Sequence, residues 1–320
     1  MMNKHDGGKD KQKIYFIFIR TMNHLLLFLK GMAMGAADVV PGVSGGTIAF
    51  ITGIYDKLLG SISNISFSLL GLLKKEGFLA VWRKVNGTFL ITLFAGIFTS
   101  ILSLSKLLSH LLEAYPVLIW SFFFGLIIAS IIYVGRMIKS WGVKEVIGLI
   151  LGTVLIVAIS LLPTFESSSN LIYLFICGAI AICAMILPGI SGSFLLLILG
   201  VYQAVLGAVS EFKLDVIAVC GAGALVGLLS FSRLLKWVLE KYRNTTMSVL
   251  TGFLLGSLYK IWPWKETTEF RVNSHGEQVP YIQENIVPQG DWFYALIFTI
   301  LGFILLFGIE MVGQKLKKAD

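Results

Sequence analysis

Residues 41–59 read PGVSGGTIAFITGIYDKLL, and residues 188–206 read PGISGSFLLLILGVYQAVL. The two stretches align at a constant offset of 147 residues and share a proline, a serine, a tyrosine and three glycines. A second pair of stretches, residues 103–108 and 230–235, aligns at an offset of 127. Two matching blocks in the same order indicate an internal duplication rather than a chance match between apolar sequences.

Each copy opens with an apolar segment that is broken near its centre. The segments cover residues 21–60 and 170–210, and the helix breaks are Pro41, Gly42, Pro188 and Gly189. Proline removes a helical hydrogen bond and glycine weakens a helix, so neither segment is expected to form one continuous helix. The pattern predicts two re-entrant helical hairpins, each of which enters and leaves the membrane on one side.

The composition is that of a membrane protein. The chain has 320 residues, of which 56% are hydrophobic and 14% are charged. Beside the broken segments it contains apolar runs of about 20 residues, the length that a helix needs to cross roughly 30 Å of hydrocarbon, whereas barrel strands would be about half as long. These runs are residues 88–109, 116–135, 145–163, 214–235, 247–263 and 292–312. We therefore expect an all-α integral membrane protein with a single membrane domain over residues 1–320.

Basic residues concentrate in alternate loops. With the lysine-rich N-terminus in the cytoplasm, one set of loops is positive throughout and the other set carries mainly Glu and Asp. Cytoplasmic loops of membrane proteins carry an excess of Lys and Arg. We therefore predict that both termini are cytoplasmic and that the N-terminus is not cleaved. The net charge of +8 then reflects orientation in the membrane and not nucleic-acid binding.

Each copy contains one hairpin and three crossings, within residues 21–163 for repeat 1 and residues 170–312 for repeat 2. An odd number of crossings turns the second copy upside down relative to the first. The two Pro-Gly breaks then point toward each other from opposite sides of the membrane. This is the plan of secondary transporters with inverted-topology repeats, whose broken helices form a site near the midplane.

The first candidate site follows the two breaks. A helix start offers N–H groups and the positive end of the helix dipole to an anion such as a phosphate or a carboxylate, and glycine lets the backbone approach it. The alternative is that these small residues only allow close helix packing. The candidate head-group ligands are Ser44, Gly45, Gly46, Thr47, Ser191, Gly192 and Ser193.

The second candidate site is a serine pair followed by a basic residue. Ser105 and Lys106 in the first copy correspond to Ser232 and Arg233 in the second. Hydroxyl groups and a cation at a fixed spacing can bind an anionic head group. The inversion would place Lys106 toward the outer surface and Arg233 toward the inner one. The alternative is that both cations only extend from helix ends to the lipid head groups.

Four further charged residues are candidates for ion pairing or for coupling: Lys30, Asp38, Glu113 and Glu240. Lys30 and Asp38 have no charged counterpart in the second copy, so they either pair with each other or Asp38 carries a proton during transport. The two glutamates are expected to pair with the basic residues of the second site. The coupling ion, H+ or Na+, is left open, and the scattered Cys and His residues predict no metal site and no cofactor.

The two broken segments resemble a known family. PopT-type polyprenyl-phosphate transporters contain stretches similar to GMAMGAADVVPGVSGGTIAFITGIYDKLL and ILPGISGSFLLLILGVYQAVLGA. The resemblance to this family covers nearly the whole chain. The resemblance implies that the substrate is undecaprenyl phosphate, the carrier lipid of cell-wall polymer synthesis. It further implies a flippase in the bacterial plasma membrane, which returns this lipid from the outer to the inner leaflet for reuse.

Two other functions are compatible with an anion site between inverted hairpins. A transporter of a small soluble anion would need a water-filled vestibule, whereas a lipid transporter would need a groove open sideways to the bilayer. A lipid-phosphate phosphatase would need a nucleophile or a metal with a base beside it, and no such set is evident, so we do not expect an enzyme. The polar stretch at residues 265–291 is a candidate lid. The expected partners are the lipid and the bilayer, and the oligomeric state is left open.

Overall fold

The computed structural model describes residues 6–40, 43–162, 165, 170–272, 278–290 and 292–317. Its first half contains α1 (Asp6–Val39), α2 (Gly45–Ile51), α3 (Tyr55–Ser63), α4 (Ser68–Glu76), α5 (Phe78–Lys84), α6 (Gly87–Ala114), α7 (Pro116–Gly135) and α8 (Val143–Ser160). Its second half contains α9 (Leu171–Ile186), α10 (Gly192–Ile198), α11 (Tyr202–Ser210), α12 (Leu214–Lys241), α13 (Arg243–Lys260), β1 (Lys265–Val272), β2 (Gln278–Asn285) and α14 (Trp292–Lys317). The chain is therefore mainly helical, as the sequence predicts.

The two halves follow the same succession of helices. The short helices α2 and α10 have seven residues each, α3 and α11 have nine each, and α6 and α12 have 28 each. The starts of these paired helices lie at the two offsets of the sequence repeat. Helices α4 and α5 occupy the additional residues of the first copy.

Four of the described helices, α6, α7, α8 and α12, are long and apolar enough to cross a membrane. Helix α9 and residues 292–308 of α14 are apolar but shorter. Helix α13, predicted as a crossing, forms but is more polar, and most of its residues are buried. Ser248, Thr251 and Ser257 donate to carbonyl groups of the same helix, for example Thr251 Oγ1 to Met247 O at 2.7 Å. Polar side chains are tolerated here because protein, and not lipid, surrounds them.

Helix pairing joins the two halves. Helix α1 packs on α6 and α9 packs on α12 within each half, whereas α8 packs on α13 and α7 packs on α14 across the halves. Glycines allow these helices to approach with their backbones nearly in contact. The largest apolar core lies around α2, α7 and α13 and includes Val40, Val43, Ile127, Leu250 and Leu254.

The polar stretch at residues 265–291 contains a two-stranded antiparallel sheet, formed by β1 and β2. The all-α fold class is confirmed, and this short hairpin is an addition to it. Thr267, Thr268, Phe270 and Val272 in β1 are residue types that favour strands. The base of the sheet is held by side chains near the end of α13. Trp262 Nε1 donates to Ile286 O at 2.9 Å, and Asn285 Nδ2 donates to Tyr259 O at 2.8 Å.

Candidate functional site

The two helix breaks contact each other in the interior. Ser44 Oγ donates a hydrogen bond to Met185 O at 3.0 Å, and Gly189 N–H donates to Thr47 Oγ1 at 2.9 Å. Ser44 and Thr47 are 1% and 0% exposed. We call this contact, formed by Ser44, Thr47, Met185 and Gly189, the junction. It connects residues about 140 positions apart in the chain, so it connects the two copies directly.

The junction requires glycine at two positions. Gly189 has a φ of +87°, a conformation that side chains other than glycine rarely adopt, and a Cβ there would lie 2.8 Å from the carbonyl group of Phe253. At Gly46 a Cβ would lie 2.6 Å from Ile186 O. At Gly46 the backbones of the two copies therefore approach more closely than a side chain permits, and at Gly189 the break approaches α13 equally closely. Pro41 and Gly42 lie outside the described residues.

In the first break, the carboxylate of Asp38 lies at the start of α2. Gly45 N–H donates to Asp38 Oδ1 at 2.7 Å, and Gly46 N–H donates to Ser44 Oγ at 3.0 Å. The backbone groups that could bind a phosphate therefore already have acceptors, one of which is a carboxylate. Ser44 and Thr47 are also engaged, because each bonds to the second copy in the junction.

Asp38→Ala is expected to lower the free energy of unfolding by about 1–3 kcal/mol, because the buried Gly45 N–H would lose its acceptor. Asp38→Asn keeps an oxygen at this place and is expected to lose much less. The measurement is the unfolding midpoint of both variants in detergent. Equal losses would show that the negative charge, and not the hydrogen bond, stabilises the first break.

The second break lacks such a carboxylate. Met185 stands at the position that Asp38 occupies in the first copy. Ser191 Oγ lies 2.9 Å from Ser193 Oγ, and Ser191 makes no side-chain cap to α10. Gly192 is buried against Ala181 O. The two copies share a motif, but their local chemistry is different.

A lysine that the repeat does not predict lies beside the second break. Lys260, the last residue of α13, lines a small cleft together with Gly189, Ser191 and Phe194. Its Nζ lies 4.4 Å from the centroid of the Phe194 ring. The repeat places Tyr133 at the corresponding position of the first copy, so comparison of the copies could not have identified Lys260. The only signal in the sequence was a lone cation at the end of an apolar run.

A second lysine is packed behind the first. Lys265 Nζ donates to Lys260 O at 2.6 Å and lies 4.0 Å from the centroid of the Trp120 ring. Burial, and then the positive charge of Lys260, lowers the pKa of Lys265 to about 7. Two lysines thus lie at the end of α13 that faces the sheet.

In the second copy, the serine and the arginine of the second candidate site bond to groups away from the breaks. Arg233 donates from Nε to Ser63 O at 3.4 Å and from a terminal nitrogen to Ile65 O, so it binds carbonyl groups at the end of α3. Ser232 is buried, and its Oγ bonds to Leu229 O of its own helix. Ser105 and Lys106 lie on α6, but their side chains are outside the described part of the chain.

The remaining charged candidates have other neighbours. Glu240 pairs with Lys236 at 4.0 Å instead of with Arg233, because Lys236 lies one turn away on the same helix face. Lys30 Nζ donates to Thr52 O at 2.7 Å, and its pairing with Asp38 stays a prediction. Glu113 is exposed at the end of α6.

A separate charged pocket lies where α3 meets α12 and α13. The ion pair between Arg243 and Asp56, at 3.2 Å, closes one side of it. Lys236 and Glu240 line the other side. Within the described residues, no group of three or more His, Cys, Asp or Glu side chains is arranged to bind a metal ion.

The spanning helices and the two broken segments that meet in the interior define a multi-pass membrane protein. The family model described as undecaprenyl phosphate translocase-like matches residues 34–279. The chain therefore belongs to the undecaprenyl phosphate translocase-like family.

Two curated relatives extend over almost the whole chain. A polyprenyl-phosphate transporter of Vibrio cholerae is 52% identical over 305 residues, which cover 92% of this chain and 99% of the relative. A polyprenyl-phosphate transporter of Staphylococcus aureus is 35% identical over 295 residues, which cover 87% of this chain and 93% of the relative. Both names are those of transporters. No solved structure matches the chain.

Proposed function

We propose that this protein is a flippase that moves undecaprenyl phosphate from the outer to the inner leaflet of the bacterial plasma membrane, for reuse in cell-wall polymer synthesis. The observation that carries the proposal is the junction, where two broken helices from the two copies meet in a buried position. Both relatives that cover nearly the whole chain are named for polyprenyl phosphate, which supports the substrate.

The proposed transport cycle uses the two copies as inverted, re-entrant halves with both termini in the cytoplasm. The polyprenyl tail stays in the lipid, and only the phosphate crosses between the hairpins. Moving an unpaired ion through hydrocarbon is costly, so the protein must replace the water around one charged group. Hydroxyl groups and a cation beside the second break supply that replacement. An H+ or Na+ gradient is a candidate driving force.

Transport is tested with the purified full-length protein in liposomes that contain undecaprenyl phosphate. A phosphatase added outside the liposomes reaches only the outer leaflet, so flipping extends hydrolysis to the inner pool. We expect the protein to accelerate this exchange, and H+ and Na+ gradients imposed in turn identify the coupling ion. If the protein takes up radiolabelled inorganic phosphate and leaves the lipid in place, the alternative function as a soluble-anion transporter replaces the proposal.

Thr47→Val tests the junction. The substitution keeps the size of the side chain but removes the acceptor for the buried Gly189 N–H, so we expect a stability loss of about 1–3 kcal/mol and slower lipid exchange. Thr251→Val is the matched control, because Thr251 is equally buried but bonds to a carbonyl of its own helix. Exchange at the wild-type rate in Thr47→Val would exclude a role for the junction in transport.

A further inference from the structure

The two breaks differ in charge, and the difference favours an anion at only one of them. Asp38 places a carboxylate beside Gly45 in the first copy, where it would repel an approaching phosphate. Met185 stands at the equivalent position of the second copy, and Lys260 lies beside the second break instead. The shared motif therefore predicts two equivalent anion sites, whereas the side chains around it support only the second.

Lys260 is a half-buried cation without a carboxylate beside it. In the part of the chain that the structure describes, Lys213, Lys236 and Arg243 each have a carboxylate within 4.0 Å. The Nζ of Lys260 faces the Phe194 ring instead. A cation taken out of water without a counter-ion is unfavourable, and an anionic ligand would remove that cost.

The cleft beside Lys260 has two chemically different walls. Ile156 and Ile159 of α8 form an apolar wall, whereas Ser160, Ser191 and Lys260 form a polar end. On a neighbouring face of α8, Leu151 and Leu155 are exposed, so an apolar surface continues from the cleft along this helix. A ligand with a charged head and a hydrocarbon tail matches both walls, whereas inorganic phosphate matches only the polar end.

The cleft is nearly closed. Its volume of about 10 Å³ is enough for about one water molecule. The Lys260–Phe194 contact forms one side of it, so Lys260 must turn away from the ring before a phosphate fits. Lys265 binds the carbonyl of Lys260 and thereby holds the end of α13 in place. It is a positioning residue for Lys260.

We propose that Lys260 and Ser191 form the docking site for the phosphate monoester of a long-chain lipid, and that Ile156 and Ile159 contact the first units of its tail. This inference rests on the proposed function and specifies where the substrate is first bound. In the proposed orientation the cleft opens toward the outer leaflet. The groups that bind the phosphate belong to the second copy, whereas the apolar wall belongs to α8 of the first copy.

The test is equilibrium binding of radiolabelled farnesyl phosphate to the full-length protein in nanodiscs, with farnesol as the uncharged probe. Lys260→Gln is expected to weaken the binding of farnesyl phosphate at least tenfold and to leave the binding of farnesol unchanged. Lys260→Arg keeps the charge and is expected to restore most of the affinity. Lys213→Gln is the control, because Lys213 is an exposed lysine that is paired with Glu211 away from the cleft.

Three outcomes would overturn the docking site. The first is wild-type affinity for farnesyl phosphate in Lys260→Gln. The second is an equal loss of affinity for farnesol, which indicates a structural role for Lys260. The third is competition by inorganic phosphate as strong as that by farnesyl phosphate, which indicates a free-phosphate site. Lipid exchange separates this inference from the proposed function. If Lys260-dependent binding occurs but the protein does not exchange lipid, the docking site stands and the flippase proposal fails.

Discussion

Gly189→Ala is expected to destabilise the protein by about 2–5 kcal/mol and to abolish lipid exchange, because two penalties act at one position. The first is conformational, since a φ of +87° is unfavourable for alanine. The second is steric, since the new Cβ would lie 2.8 Å from the Phe253 carbonyl on α13. Either α13 loses its packing against the break, or the break moves out of the junction and the bond to Thr47 is lost.

Gly53→Ala separates the two penalties. Gly53 also has a positive φ, of +70°, but nothing lies within 4 Å of its added Cβ. This control should therefore lose only the conformational part, about 1–2 kcal/mol, and keep lipid exchange. Both variants are compared by thermal unfolding in detergent and by exchange in liposomes. Equal effects of the two substitutions would contradict the close backbone contact at the junction.

The repeat in the sequence predicted the order of the helices well, because it depends on local features. Proline and glycine interrupt a helix wherever they stand, and long apolar runs have few other stable conformations in a membrane. Helix α9 accordingly ends at Ile186, and α10 begins at Gly192, on either side of Pro188 and Gly189. The partner of a side chain depends instead on how distant helices pack, and the predicted ion pairs were therefore less accurate than the predicted helices.

Arg233 and Glu240 show why pairing was harder to predict than helix order. Both lie on α12, and their spacing suggested that they interact with each other. The actual neighbour of Arg233 is the end of α3, which is 168 residues away in the chain. That contact depends on how α3 packs against α12, and packing of this kind leaves no periodic signal in a single sequence.

Asp38 and Lys260 show a related limit. The repeat emphasises positions that are alike in the two copies, whereas both of these residues are unlike their counterparts, Met185 and Tyr133. A transporter with two identical halves would bind its substrate equally well on both sides. A charge difference between the halves can make the first binding step favour one side of the membrane, and residues that break the repeat are where such a difference must lie.

Gly302→Leu on α14 is expected to prevent stable folding, because α14 is the helix through which the second copy holds α7 of the first. A Cβ at Gly302 would collide with the backbone of α7 at Phe122, and a Cβ at Gly125 would collide with α14 at Thr299. Both glycines therefore lie at one backbone contact between the halves. A leucine there must separate the helices, and overpacking of a tight interface costs about 1–3 kcal/mol or more.

Gly308→Leu is the matched control on the same helix, because nothing lies within 4 Å of a Cβ at Gly308. We expect this variant to be produced and to unfold like the wild type, whereas Gly302→Leu should be recovered in low yield or aggregate in size-exclusion chromatography. Normal yield and stability of Gly302→Leu would mean that α14 is dispensable for holding the halves together. The junction and the packing of α8 on α13 would then be sufficient to hold the halves together.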